Sequence, residues 1–415
     1  MKSASWIEPT DWMRAAPTRK VVDALRANGQ EIRFVGGCVR AALLERRGDN
    51  AENDIDIATP DPPQKVVALL DHAGINNIPT GLAHGTVTAL VERRHFEITT
   101  LRIDVKTHGR HAEVAFTDDW QQDAARRDFT MNALTCTPEG ELYDPWDGVK
   151  DLKAGRVRFI GDAVQRIEED HLRLLRFFRF HAWYGRGAPD NVGLAACAAQ
   201  ATLLHKLSGE RIQHEMLKLL AAPDPAQVIE MMAANGVLAE VVPNASDAKF
   251  LRALLKIDLE TEPLRRLAAL MRPTANATVV HNLAKRWRLS NNDHERLAAM
   301  LSPPAPIGTK LDRHGLRREL YAHGAKRVID WLLLAWCGQP DNGDGFRAMI
   351  EDARRWQPIT LPVKGADALA LGIPAGPDIG TILRTVERWW TDANFAPTRG
   401  ECLEKLRAVV AAHQA

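Results

Sequence analysis

Two carboxylates one residue apart, in Asn53-Asp54-Ile55-Asp56-Ile57-Ala58-Thr59, follow a glycine pair in Phe34-Val35-Gly36-Gly37-Cys38-Val39-Arg40. In a strand, residues i and i+2 share a face, so Asp54 and Asp56 aim together while Ile55 and Ile57 face a core. Two convergent carboxylates suit a hard divalent cation such as Mg2+. A glycine pair lets the backbone approach a phosphate closely. Together they point to nucleotidyl transfer by a two-metal mechanism. A third carboxylate, Glu97, lies in Phe96-Glu97-Ile98 of a later strand. There it either completes the metal site or faces solvent on an alternating strand, because a core-facing glutamate without a partner is costly.

Two further motifs carry charge at useful spacing. In Arg126-Arg127-Asp128-Phe129-Thr130-Met131-Asn132, Arg127 suits a triphosphate, since guanidinium matches phosphate oxygens. Asp128 would orient that arginine or meet a ribose hydroxyl; the plainer alternative is a charged helix start. In Glu169-Asp170-His171-Leu172-Arg173-Leu174-Leu175-Arg176-Phe177-Phe178-Arg179-Phe180, Asp170, Arg173, Arg176 and Arg179 are three apart, so neighbours share a helical face. Aspartate accepts hydrogen bonds and arginine donates them. Cytosine and adenine each place an amine donor beside a ring-nitrogen acceptor, whereas uracil and guanine place a carbonyl beside a ring N–H. An Asp170/Arg173 pair therefore fits C and A and rejects U and G. The plainer alternative is an amphipathic helix with an ordinary intrahelical ion pair.

The elements that must hold these residues are legible in outline. Residues 19–27 and 63–73 read as helices, 32–35 and 54–58 as strands, and 39–47 as a helix leaving the Gly-Gly turn. Residues 85–92 and 95–102 alternate as two strands. The polar stretch 106–122 reads as a mobile loop. From about residue 162, apolar residues recur at three- and four-residue steps, giving helices over 167–183, 209–220 and 225–235. Prolines at 303–306 and 358–362 mark later loops.

Composition bounds the answer. At 415 residues the chain can bury a sizeable core and hold more than one domain, and 45% hydrophobic with 26% charged residues is ordinary for a globular protein. A net charge of +1 neither favours nor excludes a nucleic-acid partner. Cys38, Cys136, Cys197, Cys337 and Cys402 are scattered with no CxxC pair, which fits a reducing, cytoplasmic compartment and no structural zinc. No signal peptide is expected, and the most apolar stretch, 331–337, is too short to span a bilayer. No Walker A loop, GxGxxG fingerprint or His-Asp dipeptide occurs.

The motifs, taken in order, resemble the class II tRNA nucleotidyltransferase and poly(A) polymerase family of the polymerase β-like superfamily. The resemblance covers roughly residues 35–220 through GGCVR, DID, GLAHGTV, FEITTLR, RRDFTMNAL, DPWDG, EEDHLRLLRFFRF and LSGERIQHEMLKLL. It implies an α+β fold: a mixed-sheet nucleotidyltransferase head over 1–157, a helical neck with the nucleotide-selecting helix over 158–225, and an all-helical, tRNA-binding body and tail over 226–415. It implies that Asp54 and Asp56 hold Mg2+, that Gly37 and Arg40 lie against the incoming nucleotide, and that Arg127 contacts its sugar and phosphates. Asp170 and Arg173 match the template for the incoming base, and Arg176 and Arg179 the remaining nucleotide-binding arginines. Residues 144–150 match a hinge and 208–218 a brace for the neck. Residues 365–377 and Trp389-Trp390 resemble, less specifically, the tail of CCA-adding enzymes. One position departs: the family usually has aspartate after the GGxVR arginine, and here it is Ala41.

The implied activity is addition of C, C and A to the tRNA 3′ end from CTP and ATP. A poly(A) polymerase, an enzyme adding only CC or only A, and a catalytically silent RNA-binding protein of the same fold are the alternatives. An unrelated helical scaffold with a metal-binding head would need every motif to coincide by chance. Arg265, Arg266, Lys285 and Arg286 are candidate RNA contacts, or else scattered solvated charges. The sequence leaves the oligomeric state open.

Overall fold

The computed structural model describes residues 5–44, 54–108, 111–243, 245, 247–303, 307–308 and 311–414; the side chains of 54, 105–108 and 111–113 lie outside that description. The polar loop 46–53 and most of the proline cluster 303–306 also lie outside it. Two compact units result, Met1–Asp247 with Arg286–Arg288, and Ala248–Lys285 with Leu289–Ala415.

Among the described residues the first unit has ten strands: β1 (Ser5–Trp6), β2 (Arg33–Val35), β3 (Asp54–Thr59), β4 (Asn76–Gly81), β5 (Thr86–Val91), β6 (Arg94–Thr100), β7 (Arg102–His108), β8 (His111–Phe116), β9 (Thr135–Cys136) and β10 (Glu141–Tyr143). Eight of them form one sheet in the order β1-β10-β9-β2-β3-β6-β5-β4. Among the described residues, the β3/β6 pair is the one parallel pair within it, which makes the sheet mixed.

Alternation sets the two faces. Ile55, Ile57, Val87, Ala89, Phe96 and Ile98 are buried. Helices Ala16–Arg26 and Pro63–His72 pack on each other, and the second also packs on β4, β5 and β6. The opposite face of β3 is open at Asp56 and closes at Ala58, which joins Val35, Leu101 and Trp120 in a small apolar cluster.

Two expectations need correction. The stretch 106–122 is not a loop: β7 and β8 pair as an antiparallel hairpin, followed by the helix Trp120–Ala125 with the Asp119 side chain capping it. Its polar residues hid the strands because they show no clear apolar alternation. The helix expected over 167–183 is two helices, Ala163–Glu169 and Leu172–Tyr184. Asp170 is extended between them at φ −149°, so the apolar period continues across a break in the backbone.

The hinge motif contains a close approach. A side chain at Gly148 would collide with the Thr130 carbonyl, so only glycine lets the helix Gly148–Ala154 start there. Asp144 caps that start, accepting from Gly148 N at 2.7 Å and Val149 N at 2.9 Å.

The second unit is helical. A buried ionic cluster lies within it: Arg265 meets Asp330 at 2.7 Å and Asp258 at 2.6 Å, while Arg296 meets Asp330 at 2.9 Å and Glu262 at 2.6 Å. Arg265 and Arg266 are therefore internal, not the surface RNA contacts their charge suggests. Helix Pro263–Met271 is buried from Leu264 to Met271, so its arginines need internal partners. Lys285 is exposed, and Arg286 is half-buried and donates to the Glu240 carbonyl. The last helices, Gly365–Ala370, Pro377–Asp392 and Arg399–Gln414, close around Ile382, Val386, Trp390, Cys402 and Leu406.

Candidate active site

Strand β2 runs into the glycine pair, and the helix Gly37–Leu43 leaves it. Gly36 sits at φ +69°, a left-handed value that costs a side-chain-bearing residue strain. A side chain there would also begin 3.6 Å from Asp56 Oδ2, which places that carboxylate directly on the turn. Below it, burial pushes the Cys38 thiol up to about 12, so this cysteine stays protonated and is no nucleophile.

In the parallel β3/β6 register, Asp54 pairs with His95 and Asp56 with Glu97. Paired residues on adjacent strands share a face. Glu97 is exposed while Phe96 and Ile98 are buried, so it stands beside Asp56 on the open face. Glu97 is thus solvent-facing, on the same face as Asp56. Among the described residues no three His, Cys, Asp or Glu side chains gather as a ready metal site, the Asp54 side chain lying outside them. Among the described side chains, Asp56 and Glu97 put carboxylate oxygens on one face, which fits a hard cation.

Arg40 is only 8% exposed. It donates to Asn132 Oδ1 and, at 3.2 Å, to the Tyr184 hydroxyl. Its guanidinium lies 5.1 Å from the Phe180 ring centre and 4.6 Å from that of Tyr184.

Arg127 is held by Asp123 at 2.9 Å and by the Asn132 carbonyl at 3.4 Å. Asp128 does not orient Arg127. Its side chain turns the other way, accepting from Asn132 Nδ2 at 2.8 Å and Arg176 Nε at 2.6 Å. Burial alone would raise the Asp128 pKa; Arg176 and the Asn132 amide outweigh it and hold it at about 2. A depressed carboxylate stabilises the fold fully above its ordinary range, near 3.9, and that contribution is lost as pH falls toward 2. Asp128→Asn is expected to cost about 2 kcal/mol at neutral pH and to flatten the acid limb between roughly pH 4 and pH 2. Urea unfolding across that range measures it; an unchanged acid limb would show that the pair contributes nothing.

The helix Leu172–Tyr184 presents Arg173, Arg176, Phe180 and Tyr184 as one stripe at i, i+3, i+7 and i+11. Phe177 and Phe180 anchor it on Phe129, with ring centres 6.5 and 5.2 Å apart. Asp170 and Arg173 do not pair with each other through their side chains. Asp170 takes Arg211 at 2.8 Å, from the helix Gly209–Leu220. Arg173 takes Glu169 at 2.7 Å and the Arg126 carbonyl at 2.9 Å. Arg179 pairs with buried Glu215 at 2.8 Å, and Arg176 lies 3.9 Å from the same carboxylate. The brace motif therefore braces through charge: one helix supplies a partner to Asp170, Arg176 and Arg179.

The fold thus gathers Gly37, Arg40, Asp56, Glu97, Arg127, Asp170, Arg173, Arg176 and Arg179 on one compact unit. Sequence reasoning missed Asn132, Tyr184 and the partners Asp123, Glu215 and Arg211. Tyr184, four residues past Phe180 on a helix rich in arginine, was the available signal.

The chain matches known proteins over nearly its whole length. Residues 32–158 match the family model of the poly A polymerase head domain, and residues 190–249 that of a probable RNA- and SrmB-binding site of polymerase A. The chain is 33% identical over 404 residues to the mitochondrial CCA tRNA nucleotidyltransferase 1 of Danio rerio, covering 93% of this chain and 89% of the relative. It is 30% identical over 389 residues to the CCA-adding enzyme of Lactococcus lactis, covering 91% and 93%. Among solved structures, the Bacillus stearothermophilus CCA-adding enzyme in complex with CTP superposes with a TM-score of 0.77 at 26% identity, over 96% of this chain and 99% of that one.

Proposed function

The chain belongs to the tRNA nucleotidyltransferase and poly(A) polymerase family, and we propose that within it the protein builds the CCA end of tRNA from CTP and ATP. It is a CCA-adding tRNA nucleotidyltransferase with an α+β fold. The observation that carries this reading is similarity to CCA-adding relatives along nearly the whole chain, helical unit included. A likeness confined to the head would not separate CCA addition from poly(A) synthesis.

The tRNA 3′ hydroxyl would attack the α-phosphate of the bound nucleotide, and pyrophosphate would leave. Asp54 and Asp56 would hold Mg2+, with Glu97 as a neighbouring oxygen donor. Mg2+ bound there supplies a lowered pKa for the attacking hydroxyl and charge stabilisation for the leaving oxygens. The Gly37 backbone and Arg40 would face the phosphates. Arg127, Arg176 and Arg179 would bind the rest of the nucleotide from positions fixed by Asp123, Asp128 and Glu215. Asp170 and Arg173 would read the Watson–Crick edge. The helical body and tail would hold tRNA through phosphates and shape.

Among the described residues no helix is long and apolar enough to cross a membrane. The five free cysteines support a reducing compartment, and the cytoplasm is the proposed one.

The test is end-sequencing of product from tRNA ending at the discriminator base, with Mg2+ and all four NTPs. CCA is expected from the wild type. The Asp170→Ala/Arg173→Ala enzyme is expected to lose roughly 1–3 kcal/mol of preference for C and A over U and G. Runs of A would mean a poly(A) polymerase, and arrest at CC a partial enzyme. No extension would leave a silent RNA-binding protein. Unchanged preference in the double variant would remove the template roles.

A further inference from the structure

Arg40 carries its charge in an unusual setting. Its described partners, the Asn132 amide oxygen, the Tyr184 hydroxyl and the rings of Phe180 and Tyr184, are all uncharged. Among the described residues no carboxylate lies within ion-pairing distance of it, and its buried Nε has no hydrogen-bond partner. A buried charge without a counter-charge is costly unless an anion completes the site. The residue after it, where a carboxylate would be nearest in sequence, is Ala41.

The two neutral partners are themselves fixed. Asn132 spends its amide N–H on Asp128, and Asp128 takes Arg176. Tyr184 is the last residue of the helix that carries Arg176. The contacts Arg176–Asp128–Asn132–Arg40–Tyr184 therefore leave one helix, cross the Gly-Gly turn, and return to the same helix eleven residues after Arg173, at its end.

We propose that Asn132 and Tyr184 are positioning residues that aim Arg40 at the phosphates of the incoming nucleotide, without a carboxylate at position 41. This rests on the nucleotidyltransferase reading of the site. The uncharged partners hold the guanidinium in place while leaving its charge available, which a neighbouring carboxylate would neutralise.

Tyr184→Phe removes the hydroxyl and keeps the ring, and Arg40→Lys keeps the charge and removes the fork. Incorporation from CTP and ATP is measured for wild type, both single variants and the double variant, with thermal unfolding alongside. Tyr184→Phe is expected to raise KM for CTP and ATP by the same factor, roughly tenfold, the value of one hydrogen bond to a charged group. Selection against UTP and GTP stays unchanged, because Asp170 and Arg173 are untouched. The double variant is expected to be no worse than Arg40→Lys alone, because Tyr184 acts through Arg40. A purely structural tyrosine would instead lower the melting temperature and add its loss to that of Arg40→Lys. Wild-type kinetics in Tyr184→Phe, or additive losses in the double variant, would overturn the proposal. An inactive wild type would overturn the nucleotidyltransferase reading instead, so the two failures are distinct.

Discussion

Replacing Asp54 and Asp56 together with alanine is expected to lower the single-turnover rate of CMP addition by at least about a thousandfold, a loss of several kcal/mol of transition-state stabilisation. The same change should leave the fold intact. Asp56 lies on the open face of β3 with exposed Glu97 beside it in register. Asp56 lies outside the apolar core, so truncating it opens no core cavity. Melting temperature and tRNA binding by gel shift should therefore match the wild type. A rate within tenfold of wild type would place the chemistry elsewhere. A collapse in melting temperature would make the carboxylates structural.

The largest expected stability effect lies in the other unit. Asp330 is fully buried and holds both Arg265 and Arg296. Arg265 is itself almost fully buried, and its remaining close partner is Asp258. Asp330→Ala leaves these guanidinium groups short of counter-charge in a site that water does not reach. The expected cost is about 3–5 kcal/mol. By contrast, Arg313→Ala breaks an exposed pair with Asp352 at 3.5 Å and should cost no more than about 1 kcal/mol. Differential scanning calorimetry of both variants measures the contrast. Equal losses would mean the buried cluster contributes no more than a surface pair.

The site was more legible than the elements around it. Asp54, Asp56 and the glycine pair announced themselves because period-2 geometry and close backbone approach demand those residue types. Glu97 was ambiguous because alternation fixes which face it shares with its neighbours but not which face is core; the β3/β6 pairing, set by residues 41 apart, decides that. The alternative that Asp128 orients Arg127 failed because adjacency in sequence says nothing about where a side chain turns. Its partners Asn132 and Arg176 lie four and forty-eight residues away. The break at Asp170 was hidden because the apolar period carries on through it. Arg265 looked like surface charge because its counter-charges, Asp258 and Asp330, come from other segments of the chain.

In the template role proposed for Asp170 and Arg173, their prior engagement changes what base selection would mean. With Arg211 on one and Glu169 on the other, neither group waits unsatisfied for a ligand, so reading a base is an exchange of partners. Cytosine or adenine returns hydrogen bonds equivalent to those given up, and the net gain in affinity is small. Uracil or guanine opposes donor to donor and acceptor to acceptor, and nothing offsets the contacts that were broken. Fidelity of this kind comes from a penalty on the wrong nucleotide more than from tight capture of the right one. It lets a single pocket release each added residue readily and admit the next.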